Sequence, residues 1–160
     1  MIKQDYVKSY KTEITNLIDL KNYLGKELGV SNWVKITQNQ INNFANTTED
    51  LQWIHTDPEL CKIKSPYKKP IAHGFLILSM APKFCYETLH ISNVIMGVNY
   101  GLDKVRFMNP TIVNSYIRAR VSLMTYELTE KGVKYKMKLI IEIKNIDKPA
   151  CIAELIALAY

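Results

Sequence analysis

The chain has few of the residues that build disulfide frameworks or metal sites. Its cysteines are odd in number, widely spaced and free of any C-x-x-C pair, so we expect reduced thiols that act as small core residues: Cys61, Cys85 and Cys151. Its three histidines form no H-x-x-x-H or H-E-x-x-H pattern. The sequence therefore predicts neither a metal site nor a metal cofactor.

Long apolar runs are also absent. The longest runs only from Phe75 to Pro82, far short of the ~20 residues that a membrane-spanning helix needs. The first residues, MIKQDYVKSYKTE, are polar where an export signal would carry a continuous apolar segment. We therefore expect a cytoplasmic protein without a membrane span.

The remaining composition is that of an ordinary globular chain. Of 160 residues, 48% are hydrophobic and 22% are charged, with six glycines and six prolines, which suits one domain with a substantial core. Apolar residues at helical spacing predict a helix from Tyr6 to Leu24, with Gly25 as its stop. We expect residues 1–28 to be a helical extension and residues 29–160 to be a single domain.

Several short helices are predicted in the middle of the chain. A strand at Trp33–Ile36 precedes Thr37, which forms a capping box with Gln40 and opens a helix. Asp57 followed by a proline opens another, which ends near Ser65. From Gly74 onward the chain is apolar enough for a core-filling helix, which Pro82 should kink or split.

After Ser92 the hydrophobic period changes to two, which indicates a sheet. The predicted strands are Val94–Val98, Leu102–Met108, Ile117–Leu123, Val133–Ile143 and, after a turn at Asp147–Pro149, Ala150–Tyr160. Long antiparallel strands with one polar face, together with one very apolar helix, imply an α+β fold in which the sheet curls around that helix.

The residues most suited to chemistry lie between Thr48 and Phe75. Asp50 stands five residues before His55, a spacing that can place a carboxylate and an imidazole around one water molecule, although such a pair is common by chance. His73 and Gly74 come directly before the apolar helix, where free backbone N–H groups favour a developing negative charge. We expect His73 to be a structural residue at the helix entry.

Taken together, D-x-x-x-x-H-x-D, then S-P-Y, then P-I-A-H-G-F-L resembles the MaoC-like dehydratase family, in particular its NodN-like branch and the (R)-specific enoyl-CoA hydratases. The resemblance covers about residues 30–160. It implies a hot-dog fold, a homodimer, and hydration of trans-2-enoyl thioesters or the reverse dehydration in fatty acid metabolism. By position, Asp50 and His55 match the catalytic pair, and Gly74 matches the glycine whose N–H contributes to the oxyanion hole.

The family's hydratase signature usually has Asn-Pro after the catalytic aspartate, whereas this chain has Leu51-Gln52-Trp53. The acyl chain is therefore left open. The resemblance implies that Asp50 and His55 hold the water that attacks C3 while a proton reaches C2, with acid and base roles unassigned because a close pair titrates as one unit. It implies no cofactor beyond the coenzyme A or acyl carrier protein of the thioester. The alternatives are a thioesterase and a non-catalytic acyl-binding or scaffold subunit.

Charge is divided unevenly along the chain. Residues 1–60 carry a net charge of −2 and residues 61–160 carry +8, including the alternating Lys134, Lys136 and Lys138. Basic side chains that alternate along a β-strand are typical of a solvated sheet face. No nucleic-acid motif accompanies them, so we expect no nucleic-acid partner. We expect the positive charge to attract the phosphates of coenzyme A or an acidic acyl carrier protein.

Overall fold

The structure, a computed structural model, describes residues 7–160. Its strands are β1 Tyr10–Ile14, β2 Glu27–Val30, β3 Val34–Lys35, β4 Leu89–Ile91, β5 Gly97–Phe107, β6 Tyr116–Thr129, β7 Gly132–Ile143 and β8 Ile146–Ala159. Its α-helices are α1 Gln38–Thr48, α2 Trp53–Thr56, α3 Pro58–Lys64, α4 Gly74–Ser79 and α5 Ala81–Thr88, and a 3-10 helix spans Leu17–Tyr23. Across residues 7–160, no helix combines the length and the apolar character needed to cross a membrane.

One sheet runs in the order β4-β1-β2-β6-β7-β8-β5, and β3 pairs with β6. All of these pairings are antiparallel except that of β1 with β4. Alternate residues of β6, β7 and β8 bury their side chains on the face that α4 and α5 cover. This arrangement confirms the predicted α+β hot-dog fold, in which a sheet wraps around a central helix.

The central helix is split as Pro82 predicted. α4 ends and α5 begins at Met80, because a proline in the first turn of α5 has no N–H to continue the earlier hydrogen bonds. Leu76, Ile77 and Phe84 nevertheless pack into the same core. α4 and α5 thus pack against the sheet as one element, and this packing fixes the position of Gly74 at the N-terminal end of α4.

The local signals for the other helices were also correct. Thr37 and Gln40 form the complete capping box of α1. The carboxylate of Asp57 accepts a hydrogen bond of 2.8 Å from the N–H of Leu60 at the start of α3. These caps fix both ends of the segment that carries Asp50 and His55.

The predicted helix from Tyr6 to Leu24 is wrong. Tyr6 lies outside the described residues, Tyr10–Ile14 is strand β1, and Leu17–Tyr23 is a 3-10 helix. β1 lies between β2 and β4, so inter-strand hydrogen bonds decide its conformation over the local apolar spacing. Gly25, with a φ of 75°, follows this 3-10 helix as the expected stop.

Two strand boundaries also differ from the prediction. Val94–Val98 and Leu102–Met108 were expected to be separate strands, but β5 runs continuously from Gly97, with two register shifts against β8. The final turn lies at Lys144 and Asn145, where Asn145 has a φ of 63°, and not at Asp147–Pro149. The left-handed region is open to asparagine, so the hairpin can close earlier than the proline suggested.

The basic groups of the outer sheet face are largely paired with acids. Lys134 lies 3.7 Å from Glu127, and Lys136 contacts Asp103 and Glu154. Arg118 and Arg120 bind opposite oxygens of Glu142, at 2.7 and 3.0 Å. Much of the alternating charge seen in the sequence is therefore neutralised within the sheet.

Gly29 of β2 offers a test of this packing. A Cβ atom there would lie 2.5 Å from the Tyr10 carbonyl oxygen and 2.8 Å from that of Thr88, so we expect Gly29→Ala to lower the free energy of unfolding by about 1–3 kcal/mol. Gly101→Ala in β5 is the matched control, because a Cβ there meets no atom of the described residues within 4 Å. Equal urea denaturation midpoints for the two variants would contradict the close approach of β1 and α5 to β2.

Candidate active site

Asp50 lies in the exposed loop that follows α1. Glu49 ends the helix in the left-handed conformation, with a φ of 59°, and so turns the chain toward the start of α4. There the backbone carbonyl oxygen of Asp50 accepts a hydrogen bond of 3.0 Å from Nε2 of His73. One carboxylate oxygen of Asp50 lies 3.9 Å from the same nitrogen.

His55 is held by α2 and by the strand-like segment before α4. Its Nδ1 lies 2.7 Å from the carbonyl oxygen of Ile71. Because a carbonyl can only accept, Nδ1 carries the proton, and Nε2 of the neutral ring is left as an acceptor. A backbone hydrogen bond from Ile71 to Ile54 and one from the Gln38 amide to the His55 carbonyl hold this orientation.

Electrostatics favour the neutral form of His55. Burial lowers its pKa below the ordinary value of 6.5, and His73 lowers it further. The hydrogen bond to Ile71 and the carboxylate of Asp50 act in the opposite direction but do not outweigh these effects. His55 can therefore accept a proton from a water molecule at neutral pH.

A cavity of about 240 Å³ opens beside His55 and Gly74. Its remaining wall is mostly apolar and comes from the segment before α4, from α4, and from the ends of β5 and β8: Ile71, Ala72, Ile77, Phe107, Met108, Asn109, Pro110, Thr111 and Ala150. No hydrogen bond among residues 7–160 uses the N–H of Gly74. That N–H is free to bind an oxygen atom of a ligand in the cavity.

Gly74 also allows a close contact with the end of β5. The ring of Phe107 lies so near that a Cβ on Gly74 would be 3.0 Å from three of its carbon atoms. Phe107 packs edge-on against Phe75, with ring centres 5.6 Å apart. A glycine at the entry of α4 thus lets this aromatic ring form part of the cavity wall.

The structure brings together the residues that the sequence singled out. Asp50, His55 and His73 place one ligand atom each within 4.8 Å of one another, and Gly74 adjoins His73. The contributions of Ile71 and Phe107 were missed, because no local pattern predicts which carbonyl accepts from His55 or which strand end faces Gly74. For Phe107, the only signal in the sequence was the family resemblance, whose range includes this residue.

The same three side chains are of types that can bind a metal ion. The rings of His55 and His73 are stacked with centres 3.7 Å apart and planes at 28°, and each has a nitrogen that faces a carbonyl oxygen. The nitrogen of His73 that lies 3.9 Å from the Asp50 carboxylate is the one that donates to the Asp50 carbonyl oxygen, so it has no lone pair left for a metal ion in this arrangement.

Comparison with known proteins shows the relatives of this chain. Residues 19–143 match the profile of the family described as MaoC like domain. The chain is 40% identical over 140 residues to 3-hydroxyacyl-thioester dehydratase Z of Mycobacterium tuberculosis, covering 87% of this chain and 92% of that protein. It is 38% identical over 153 residues to Nodulation protein N of Rhizobium meliloti, covering 90% and 91%.

The fold is also found in solved structures. The R-hydratase PhaJ1 of Pseudomonas aeruginosa, in its unliganded form, superposes with a TM-score of 0.72 at 17% identity, covering 91% of this chain and 87% of that chain. At this level of identity the similarity concerns the fold.

The lowered pKa of His55 predicts how stability depends on pH. In the unfolded chain His55 takes up its proton near pH 6.5, before the folded protein does. The stability contributed by the neutral ring is therefore fully present above pH 6.5 and is lost as the pH falls through the lower pKa of the folded state. Urea unfolding at pH 7.5 and 5.5 should show a larger loss for the wild type than for His55→Gln; equal losses would contradict the shift.

Proposed function

Because the chain belongs to the MaoC-like family, we propose that it is a hydratase or dehydratase that interconverts trans-2-enoyl and (R)-3-hydroxyacyl thioesters. The observation that carries the proposal is a mostly apolar cavity lined by the neutral imidazole of His55 and by Gly74 with its free N–H, together with the carboxylate of Asp50 within 4.8 Å of a His55 ring nitrogen. Further support is the 40% identity to a protein named 3-hydroxyacyl-thioester dehydratase Z.

In the proposed reaction, Asp50 and His55 are the catalytic residues and hold one water molecule between them. Nε2 of His55 or the carboxylate of Asp50 takes a proton as the water oxygen forms a bond to C3. The electron pair of the double bond moves toward the thioester carbonyl, and a proton from the pair reaches C2 on the same face. The two groups act as one unit, so their protons belong to the pair.

Gly74 is proposed to stabilise the charge that develops on the thioester oxygen. A preorganised donor of this kind contributes about 2.7–4 kcal/mol in a comparable oxyanion site. Because the charge is largest in the transition state, the contribution should appear in the rate more than in substrate binding. Hydration adds only water and is redox-neutral, so the proposed mechanism uses no cofactor.

The carrier of the acyl group is proposed to bind through its phosphates. Lys64, Lys68 and Lys69 are exposed, and the salt bridges formed by residues 7–160 include none of them. Lys69 lies two residues before Ile71, which lines the cavity. These lysines, more than the paired lysines of the sheet, supply positive charge for coenzyme A or an acidic carrier protein, over a range of about 8 Å at physiological salt.

The active form is proposed to be a homodimer joined through β5. This strand is at the edge of the sheet, where one row of its backbone hydrogen-bonding groups has no strand partner within residues 7–160. Its exposed side chains include Val98, Tyr100 and Leu102. An antiparallel pairing with β5 of a second copy would satisfy the backbone and cover these apolar groups.

The activity is tested by incubating the protein with crotonyl-CoA and following the loss of the conjugated thioester. Asp50→Asn and His55→Gln should each lower kcat by about 10²–10⁴-fold, because each removes one side of the proton-transferring pair. Lys138→Gln, an exposed substitution on the sheet, is the matched control and should keep full activity. Full activity in both site variants would contradict the mechanism.

The same assay distinguishes the alternative functions and the carrier. Release of free thiol without hydration would identify a thioesterase, and binding of acyl-CoA without turnover would identify a non-catalytic subunit. A crotonyl thioester of N-acetylcysteamine, which carries no phosphate, should give a higher KM than crotonyl-CoA. If the two KM values are equal, the lysines contribute nothing to carrier binding.

The dimer is tested by light scattering during gel filtration. A mass of about twice 18.5 kDa is expected for the wild type. Leu102→Lys should shift the population toward monomer, because it places a charge on the apolar edge, while Lys104→Gln on the same strand should not. A strictly monomeric wild type would overturn the proposed assembly.

A further inference from the structure

His73 is buried between two aromatic side chains. Only 3% of its surface is exposed. On one side it stacks on His55, and on another the ring of Phe44 lies with its centre 5.1 Å away and tilted by 50°. The His73 ring, on which the imidazole of His55 stacks, is therefore held in place by the surrounding side chains.

A separate contact links His73 to Asp50. Its Nε2–H donates to the Asp50 carbonyl oxygen at 3.0 Å, and among the described residues no other group donates to that oxygen. The side chain of Asp50 is about half exposed, so packing alone does not hold it. The hydrogen bond from His73 directly links the backbone of Asp50 to the entry of α4.

The backbone of His73 supplies a third connection. Its carbonyl accepts from the N–H of Ile77 in the first turn of α4, and its own peptide bond leads into the N–H of Gly74. Any displacement of His73 therefore also moves the proposed oxyanion donor. One residue touches all three groups that the proposed reaction needs.

We propose that His73 is a positioning residue that sets the relative places of Asp50, His55 and the Gly74 N–H. This inference rests on the proposed function and extends it to a residue that the sequence indicated only as structural. His73 is not among the residues that line the cavity, and its buried Nδ1 has no hydrogen-bond partner in residues 7–160. A proton on Nδ1 would form an unsatisfied N–H, so His73 is unsuited to carry protons itself.

Two substitutions separate the contacts. His73→Phe keeps a stacked ring but removes the donor to Asp50, and His73→Gln keeps an amide donor but removes the ring. Because misplacement of about 1 Å can cost about 10²-fold, we expect kcat to fall by about that factor in His73→Phe and by less in His73→Gln, with KM within about twofold. Crotonyl-CoA hydration measures both constants.

The control is Ile141→Val, which truncates a buried side chain of β7 that does not line the cavity. It should lower the free energy of unfolding but leave kcat unchanged. If kcat instead falls in Ile141→Val as much as in a His73 variant of equal stability, the role of His73 is structural only and the proposal is overturned.

A second readout does not depend on activity. The chain contains only three histidines, so the imidazole signals in an NMR pH titration can be assigned from single variants. The groups facing His55 are the Asp50 carboxylate, the Ile71 carbonyl and His73. In His73→Phe the titration of His55 should change, because the imidazole stacked 3.7 Å from the His55 ring is replaced by an apolar ring.

The outcomes separate this proposal from the proposed function. An unchanged His55 titration together with full kcat in His73→Phe would overturn the positioning role while leaving the hydratase intact. If the wild type does not hydrate enoyl thioesters, the proposed function fails, and the His55 titration alone decides: a changed titration supports the contact and an unchanged one overturns it.

Discussion

The packing of α4 and α5 into the concave face of the sheet is the constraint on which the rest of the structure depends. Phe84 and Ile77 anchor the helix pair in the apolar core, and the burial of such side chains is the main stabilising term in a domain of this size. This packing fixes the N-terminal end of α4 beside the ends of β5 and β8. A backbone N–H, a histidine pair and an apolar wall meet there as a consequence.

The polar groups of the site depend on that rigid end and on two carbonyl oxygens. Ile71 sets the tautomer of His55, and the carbonyl of Asp50 is held by His73. Both accepting carbonyl groups lie in short backbone segments. The residues that fix such segments, for example Thr37 at the start of α1 and Glu49 at its end, therefore affect the chemistry of the site directly. The exposed loop of Asp50 and the partly exposed ring of His55 form the part of the site that is open to a ligand, whereas the buried His73 gives the site its shape.

The sequence predicted well whatever depends on local signals. The capping box at Thr37, the split at Pro82 and the alternation of β7 all followed from neighbouring residues. The N-terminal segment did not, because the pairing of β1 with β2 and β4 is a long-range contact that outweighs local spacing. For the site, Asp50, His55 and Gly74 came from the motif, whereas the stacking of His73 on His55 joins residues 18 positions apart and needs the folded chain.

The most direct measurement of the central claim is the identity and stereochemistry of the product formed from crotonyl-CoA. A carboxylate and an imidazole that act on one water at one face of the double bond should yield a single enantiomer, which for the proposed (R)-specific reaction is (R)-3-hydroxybutyryl-CoA. In deuterated water, the new C2–deuterium bond should lie on the same face as the new hydroxyl group. The (S) product, addition to opposite faces, or release of free coenzyme A as the main product would contradict the account.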